Sequence, residues 1–182
     1  MMMHDQPRLT SRQDATPGIR ARLPVSTSSL ASAFHVRWTH EMRTAQCACG
    51  RVQMSLVDEP IAISACHCDF CQRRSGSVYP VSAYFLIDQP FDITGEIKVY
   101  NGLETEGVGN ALGESITYRF CPTCSSTVYF TLDGRGFRAI PVGNFADPEF
   151  PPPTMEVNVG MRHRWLGPSP AADQFAAMPP DA

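Results

Sequence analysis

Seven cysteines stand in three short groups: Cys47-Ala48-Cys49-Gly50, Cys66-His67-Cys68-Asp69-Phe70-Cys71 and Cys121-Pro122-Thr123-Cys124. The middle group is the densest, and Gln72-Arg73-Arg74-Ser75-Gly76 follows it at once. On an extended segment, residues two apart face the same way, so Cys66 and Cys68 can reach one metal while His67 points away. Cys71, a tight turn later, adds a third sulfur. Three thiolates suit a soft or borderline ion such as zinc and leave one of its four tetrahedral positions open. A closed structural site would fill that position with a fourth protein ligand. Zinc chemistry needs it free.

The outer two groups each look like half of a zinc site. Gly50 can take the left-handed backbone that lets a chain turn back around a metal, and Pro122 pre-sets a turn that holds Cys121 and Cys124 on one side. Seven then divides into a closed set of four and an open set of three, with no cysteine over. Spacing alone leaves open whether the 47/49 and 121/124 pairs meet at one ion. An odd count in tight clusters, without a secretory signal, reads as metal ligation rather than disulfides, and fits a cytoplasmic setting.

The elements that must position these sulfurs read as short strands. Net charge is −3 over 182 residues, a length suited to a single domain. Residues 1–41 carry five arginines against Asp5, Asp14 and Glu41, whereas the remainder is acidic and has a single lysine, Lys98. That balance argues against nucleic acid as a partner, and no apolar run is long enough to span a membrane. Residues 1–41 read as a tail without a core, as a reading frame extended upstream of Met42, or as a weakly patterned transit peptide; the change of texture at Met42 favours the second. Residues 42–182 form the zinc-binding domain. There, Val52, Met54 and Leu56 alternate with polar neighbours, and Ala62 and Ile63 lead into Cys66. Residues 78–87, 97–100 and 116–120 also read as strands, the last delivering the chain to Cys121. Residues 127–132 and 137–142 around Asp133-Gly134 predict a hairpin. No long amphipathic helix is legible. Glu104, Glu106 and Glu114 read as solvated loop acids, Trp165 and Leu166 as a cover for the core, and residues 168–182 as a loose tail.

The order C-x-C-G, C-H-C-x-x-C-x-R-x-S-G and F-C-x-x-C resembles the glutathione-dependent formaldehyde-activating enzyme family, which includes the centromere protein V domain. The resemblance runs from about Met42 to Trp165. It implies an all-β fold, the β-tent, of short antiparallel sheets clamped by two zinc ions. It assigns Cys47, Cys49, Cys121 and Cys124 to a structural zinc, and Cys66, Cys68 and Cys71 to a catalytic one. The implied activity is carbon–sulfur lyase chemistry, joining formaldehyde to glutathione as S-hydroxymethylglutathione. The implied partners are a small thiol such as glutathione and an aldehyde. Ser125 departs from the family's frequent glycine after the last cysteine. Glu156 stands where many members carry a histidine, and His163, seven residues on, inherits no role.

Arg73 and Arg74 can grip the carboxylates of such a thiol bidentately, or simply offset the thiolate charge. Ser75 and Gly76 can present donors near the metal, or only form a turn. His67 reads as a core or hydrogen-bonded residue, and Tyr79, Tyr84 and Phe85 as strand core, with a pocket-lining role as the minority outcome. The non-enzymatic alternative is a zinc-stabilised β scaffold that binds a protein partner.

Overall fold

The computed structural model describes residues 42–101, 116–132, 134–170 and 172–179. The tail at 1–41, the loop acids Glu104, Glu106 and Glu114, and Asp133 of the hairpin turn lie outside the described residues. Alternation of apolar and polar side chains sets the strands. In β2 (Gln53–Val57), Met54 and Leu56 are buried; in β8 (Thr127–Leu132), Val128, Phe130 and Leu132 are. A small antiparallel sheet contains β1 (Met42–Gln46), β2 and β5 (Phe91–Thr94). The larger sheet adds β3 (Ala62–Cys66), β4 (Val81–Leu86), β6 (Lys98–Asn101), β7 (Ile116–Phe120), β9 (Phe137–Pro141), β10 (Met155–Val157) and β11 (Asp173–Gln174). Its strand order is β11-β10-β3-β4-β9-β8-β7-β6. The core between the sheets gathers Val52, Leu56, Phe85, Val128 and Ile140 around the buried sulfurs of Cys47 and Cys121. Among the described residues no helix is long and apolar enough to cross a membrane.

The architecture is the mostly β one expected, with four differences. The larger sheet is mixed, because β10 runs parallel to both β3 and β11. Parallel neighbours cannot be joined by a tight hairpin, and here all of β4 to β9 lies between β3 and β10 in the chain, with a long connection between β10 and β11. A seven-residue helix, α1 (Asp69–Ser75), follows β3 directly. The described residues after Pro168 are not loose: β11 adds to the sheet edge, and backbone hydrogen bonds continue through Phe175 and Ala177. Trp165 does not cover the core. It is 71% exposed and its ring meets His163, while Phe150, stacked on Phe145 at 4.5 Å, helps close the core instead.

Candidate metal centres and active site

Two backbone turns of matching design carry the first centre. Gly50 donates to the Cys47 carbonyl and Cys47 to the Val52 carbonyl; Ser125 donates to the Cys121 carbonyl and Cys121 to the Ser126 carbonyl. Each turn needs a left-handed residue, Gly50 at φ 72° and Ser125 at φ 62°, which explains why glycine suits the second position. The Ala48 amide donates to the Ser126 hydroxyl at 3.1 Å and holds the turns together. The sulfurs of Cys47, Cys49, Cys121 and Cys124 all lie within 4.8 Å of one another. Cys47 to Cys49 is 3.5 Å and Cys49 to Cys121 is 3.8 Å. Zinc–sulfur bonds of about 2.3 Å at tetrahedral angles place sulfurs roughly 3.8 Å apart, so the set fits a zinc ion. Burial opposes ionisation of Cys47, but the Val52 amide and the neighbouring thiols outweigh it and lower its pKa. A hydrogen bond with Ser126 brings Cys124 down to about 5. This centre ties the small sheet to the turn between β7 and β8.

The second centre is built where β3 meets α1. Cys66 ends the strand, and Cys68 is still extended while serving as the helix N-cap, its sulfur accepting from the Cys71 amide at 3.4 Å. Cys71 follows in the first helical turn, so the tight turn expected there is helical. The three sulfurs lie within 4.8 Å of one another, with Cys66 to Cys68 at 3.5 Å. Among the described residues no further Cys, His, Asp or Glu joins them. The Asn158 amide approaches the Cys66 sulfur at 3.5 Å. Hydrogen bonds from Cys66 and Cys71 pull Cys68 far below the ordinary thiol range, and the shared protons push Cys66 and Cys71 above it. A metal binding here would displace those protons.

His67 is 1% exposed and turns from the sulfurs toward Glu156, its Nε2 3.6 Å from a carboxylate oxygen, with Tyr79 5.0 Å from its ring. Burial lowers its pKa, against the pull of Glu156. Among the described residues neither ring nitrogen has a partner within hydrogen-bond distance. His163 is not near the sulfur set; it bonds Gln72 at 2.9 Å, and Gln72 in turn holds the His67 carbonyl.

A cavity of about 80 Å³ opens on the three sulfurs, walled by β3, β4, β7, β8, β10 and α1. It separates residues that the sequence left equivalent. Arg74 lines it, stacked over Tyr118 at 4.6 Å and donating to Thr127, with its Nε buried and unpartnered. Arg73 does not line it; its side chain is 78% exposed and pairs with Asp69 one turn earlier. Ser75 and Gly76 do not line it either. The Ser75 hydroxyl donates to the Cys71 carbonyl and the Gly76 amide to Gln72, which closes the helix end.

Tyr84, read first as core, lines the cavity beside Ser64 and Ser82. Burial raises its pKa, and the neighbouring thiols of Cys66 and Cys71 raise it further, so its hydroxyl stays protonated at neutral pH. Asn158 and Met178 were not singled out from the sequence. Period-two alternation does put Ser64 with Cys66, and Ser82 with Tyr84, on shared strand faces.

A β fold pinched by one four-thiolate set, with a three-thiolate set opening on a cavity, defines a class of small proteins organised around paired metal-competent centres. The family model of the glutathione-dependent formaldehyde-activating enzymes matches residues 42–160, and the chain belongs to that family. No curated protein matches the chain.

Proposed function

We propose that the chain is a zinc-dependent carbon–sulfur lyase working on the adduct of an aldehyde with glutathione or a related thiol, in the cytoplasm. The observation that carries this reading is the set Cys66, Cys68 and Cys71, which has no fourth protein ligand among the described residues and opens on a cavity. Cys47, Cys49, Cys121 and Cys124 would hold a structural zinc, and the three cavity cysteines a second. When bound at the open set, zinc supplies a positive charge and a free position that favour an incoming thiol as thiolate.

The chain's own residues then orient and protonate. The substrate sulfur adds to the aldehyde carbon, a carbon–sulfur bond forms, and the carbonyl π bond becomes an alkoxide. In this reading the thiol releases its proton as its sulfur adds, and the neutral Tyr84 hydroxyl gives the alkoxide a proton and takes up the one the thiol released, so thiol plus aldehyde becomes the hydroxymethyl adduct; the reverse sequence cleaves it. Arg74 offers its buried Nε–H and its charge to a substrate carboxylate. A shallow groove of about 300 Å³ shares Arg74 and Tyr118 with the cavity and adds Phe70, Tyr100 and Phe120, room for the body of such a thiol.

The test mixes zinc-loaded protein with carbon-13 formaldehyde and glutathione, and follows adduct exchange by NMR. Catalysed exchange that is lost in Cys71→Ala and Tyr84→Phe, and kept in Arg73→Ala, supports the reading. No acceleration across a panel of thiols and aldehydes would leave a metal-stabilised scaffold.

A further inference from the structure

The family match ends at residue 160, yet one side chain of the cavity lining, Met178, comes from beyond it. Residues 172–179 contain the edge strand β11 and run along β10, joined to it and its flanks by four backbone hydrogen bonds. The Asp173 amide donates to Thr154, Phe175 to Glu156, and the amides of Asn158 and Val159 donate back to Ala177 and Phe175, all at 2.9–3.2 Å. A second set of contacts fixes the strap from the side. Arg162 donates to both Glu156 and Gln174, so the carboxylate beneath β10 and the strap's own strand share one guanidinium. The strap then carries Met178 into the lining of the cavity, its sulfur 3.9 Å from the Asn158 amide, the group that approaches Cys66.

The space that remains is small. About 80 Å³ accommodates a few heavy atoms, well below the ~300–1,000 Å³ of ordinary small-molecule pockets. Most of the wall is held by strand pairing inside the sheet. Met178 is different: it is an unbranched side chain on a terminal strap attached along one edge only, and its length can be changed without touching the sulfurs.

We infer that residues 172–179 form the wall that decides which molecules reach the Cys66–Cys68–Cys71 centre, with Met178 as the side chain that sets their size. This specificity role deepens the lyase reading and rests on it; access to the centre can nevertheless be measured without chemistry. Met178→Ala removes three heavy atoms from the lining and enlarges the space beside the sulfurs. Met178→Phe replaces a flexible chain with a rigid ring and narrows it.

The experiment uses the zinc-loaded full chain and two readouts. First, zinc transfer to the chelator 4-(2-pyridylazo)resorcinol is followed by absorbance, and the phase from the open centre is identified as the one missing in Cys71→Ala. Met178→Ala should speed that phase roughly tenfold, and Met178→Phe should not, with the other phase unchanged in both. Second, cobalt-loaded proteins are titrated with ethanethiol and benzenethiol. Met178→Ala should improve benzenethiol binding relative to ethanethiol by roughly tenfold, and Met178→Phe should worsen it. An open-centre phase that does not change, or two phases that accelerate together, overturns the inference. So does an unaltered thiol ranking. A selective acceleration with no thiol bound by any variant supports the wall and instead removes the lyase reading.

Discussion

Glu156 is a buried carboxylate that joins two segments of the fold. It is 5% exposed, accepts from Arg162 and from the Ser169 amide, and lies beneath His67, between the strap and the cysteine loop. Glu156→Gln keeps the volume and can still accept from Ser169, but leaves the Arg162 guanidinium without its carboxylate. Breaking a buried ion pair by removing one partner costs ~3–5 kcal/mol. Arg162 is 15% exposed, so water recovers part of that, and the retained acceptor recovers more. A loss of about 2–3 kcal/mol is expected. The pH dependence has a definite sign. Burial works against the charge, but hydrogen bonds from Gln174 and Ser169 and the charge of Arg162 hold the folded pKa of Glu156 below its ordinary value. Its stabilisation is therefore present above the ordinary carboxylate range and is lost as pH falls through the folded value. Urea unfolding of zinc-saturated protein, followed by circular dichroism at about pH 7 and about pH 4, measures both effects. The gap between wild type and variant should be wide at the higher pH and should shrink at the lower. Thiolate protonation at low pH affects both proteins and cancels in the difference. A gap under ~0.5 kcal/mol at neutral pH, or one that widens on acidification, would refute the reasoning.

The two centres should fail differently. Cys121→Ser breaks the closed set that joins the sheets and should unfold or aggregate the protein, since structural zinc contributes folding free energy of order ~10 kcal/mol, whereas Cys68→Ser should give a folded protein with about one zinc. Metal analysis and melting of both variants decides this; similar behaviour would break the partition into four and three. Gly95→Ala should destabilise by ~3 kcal/mol or more, because a Cβ there would lie 2.0 Å from the Arg51 carbonyl oxygen, behind the Gly50 turn, at φ 92°; a near-normal melting temperature would contradict it. Deleting residues 1–41 should change neither melting temperature nor zinc content, as that stretch lacks apolar patterning, and calorimetry with metal analysis checks it.

Local patterns made much of the fold legible. β2 falls where Val52, Met54 and Leu56 alternate, β7 and β8 fall on the strands expected at 116–120 and 127–132, and Gly50 adopts the backbone its place after Cys49 required. The helix α1 is not legible because seven residues show no helical period and its N-cap is a cysteine rather than Ser, Thr, Asp or Asn. β10 and β11 are three and two residues long, too short for any period, and their parallel pairing depends on partners far away in the chain. Arg73 and Arg74 are neighbours with the same chemistry, and helix rotation alone sends one to Asp69 in solvent and the other over Tyr118. Tyr84 carried the right residue type on the right face, but which strand face meets the sulfurs is fixed by the sheet order, not by the strand itself.

The central claim, an open thiolate centre beside a closed one, is tested most directly by cobalt spectroscopy with an added thiol. In the cobalt-loaded protein, glutathione should intensify the sulfur-to-cobalt charge-transfer band, as a fourth sulfur joins Cys66, Cys68 and Cys71. The change should vanish in Cys71→Ala, while the four-thiolate spectrum persists. Arg74→Ala should weaken the response by the equivalent of ~1.5–3 kcal/mol, and Arg73→Ala should leave it intact. A spectrum indifferent to glutathione and to a panel of smaller thiols would contradict the account.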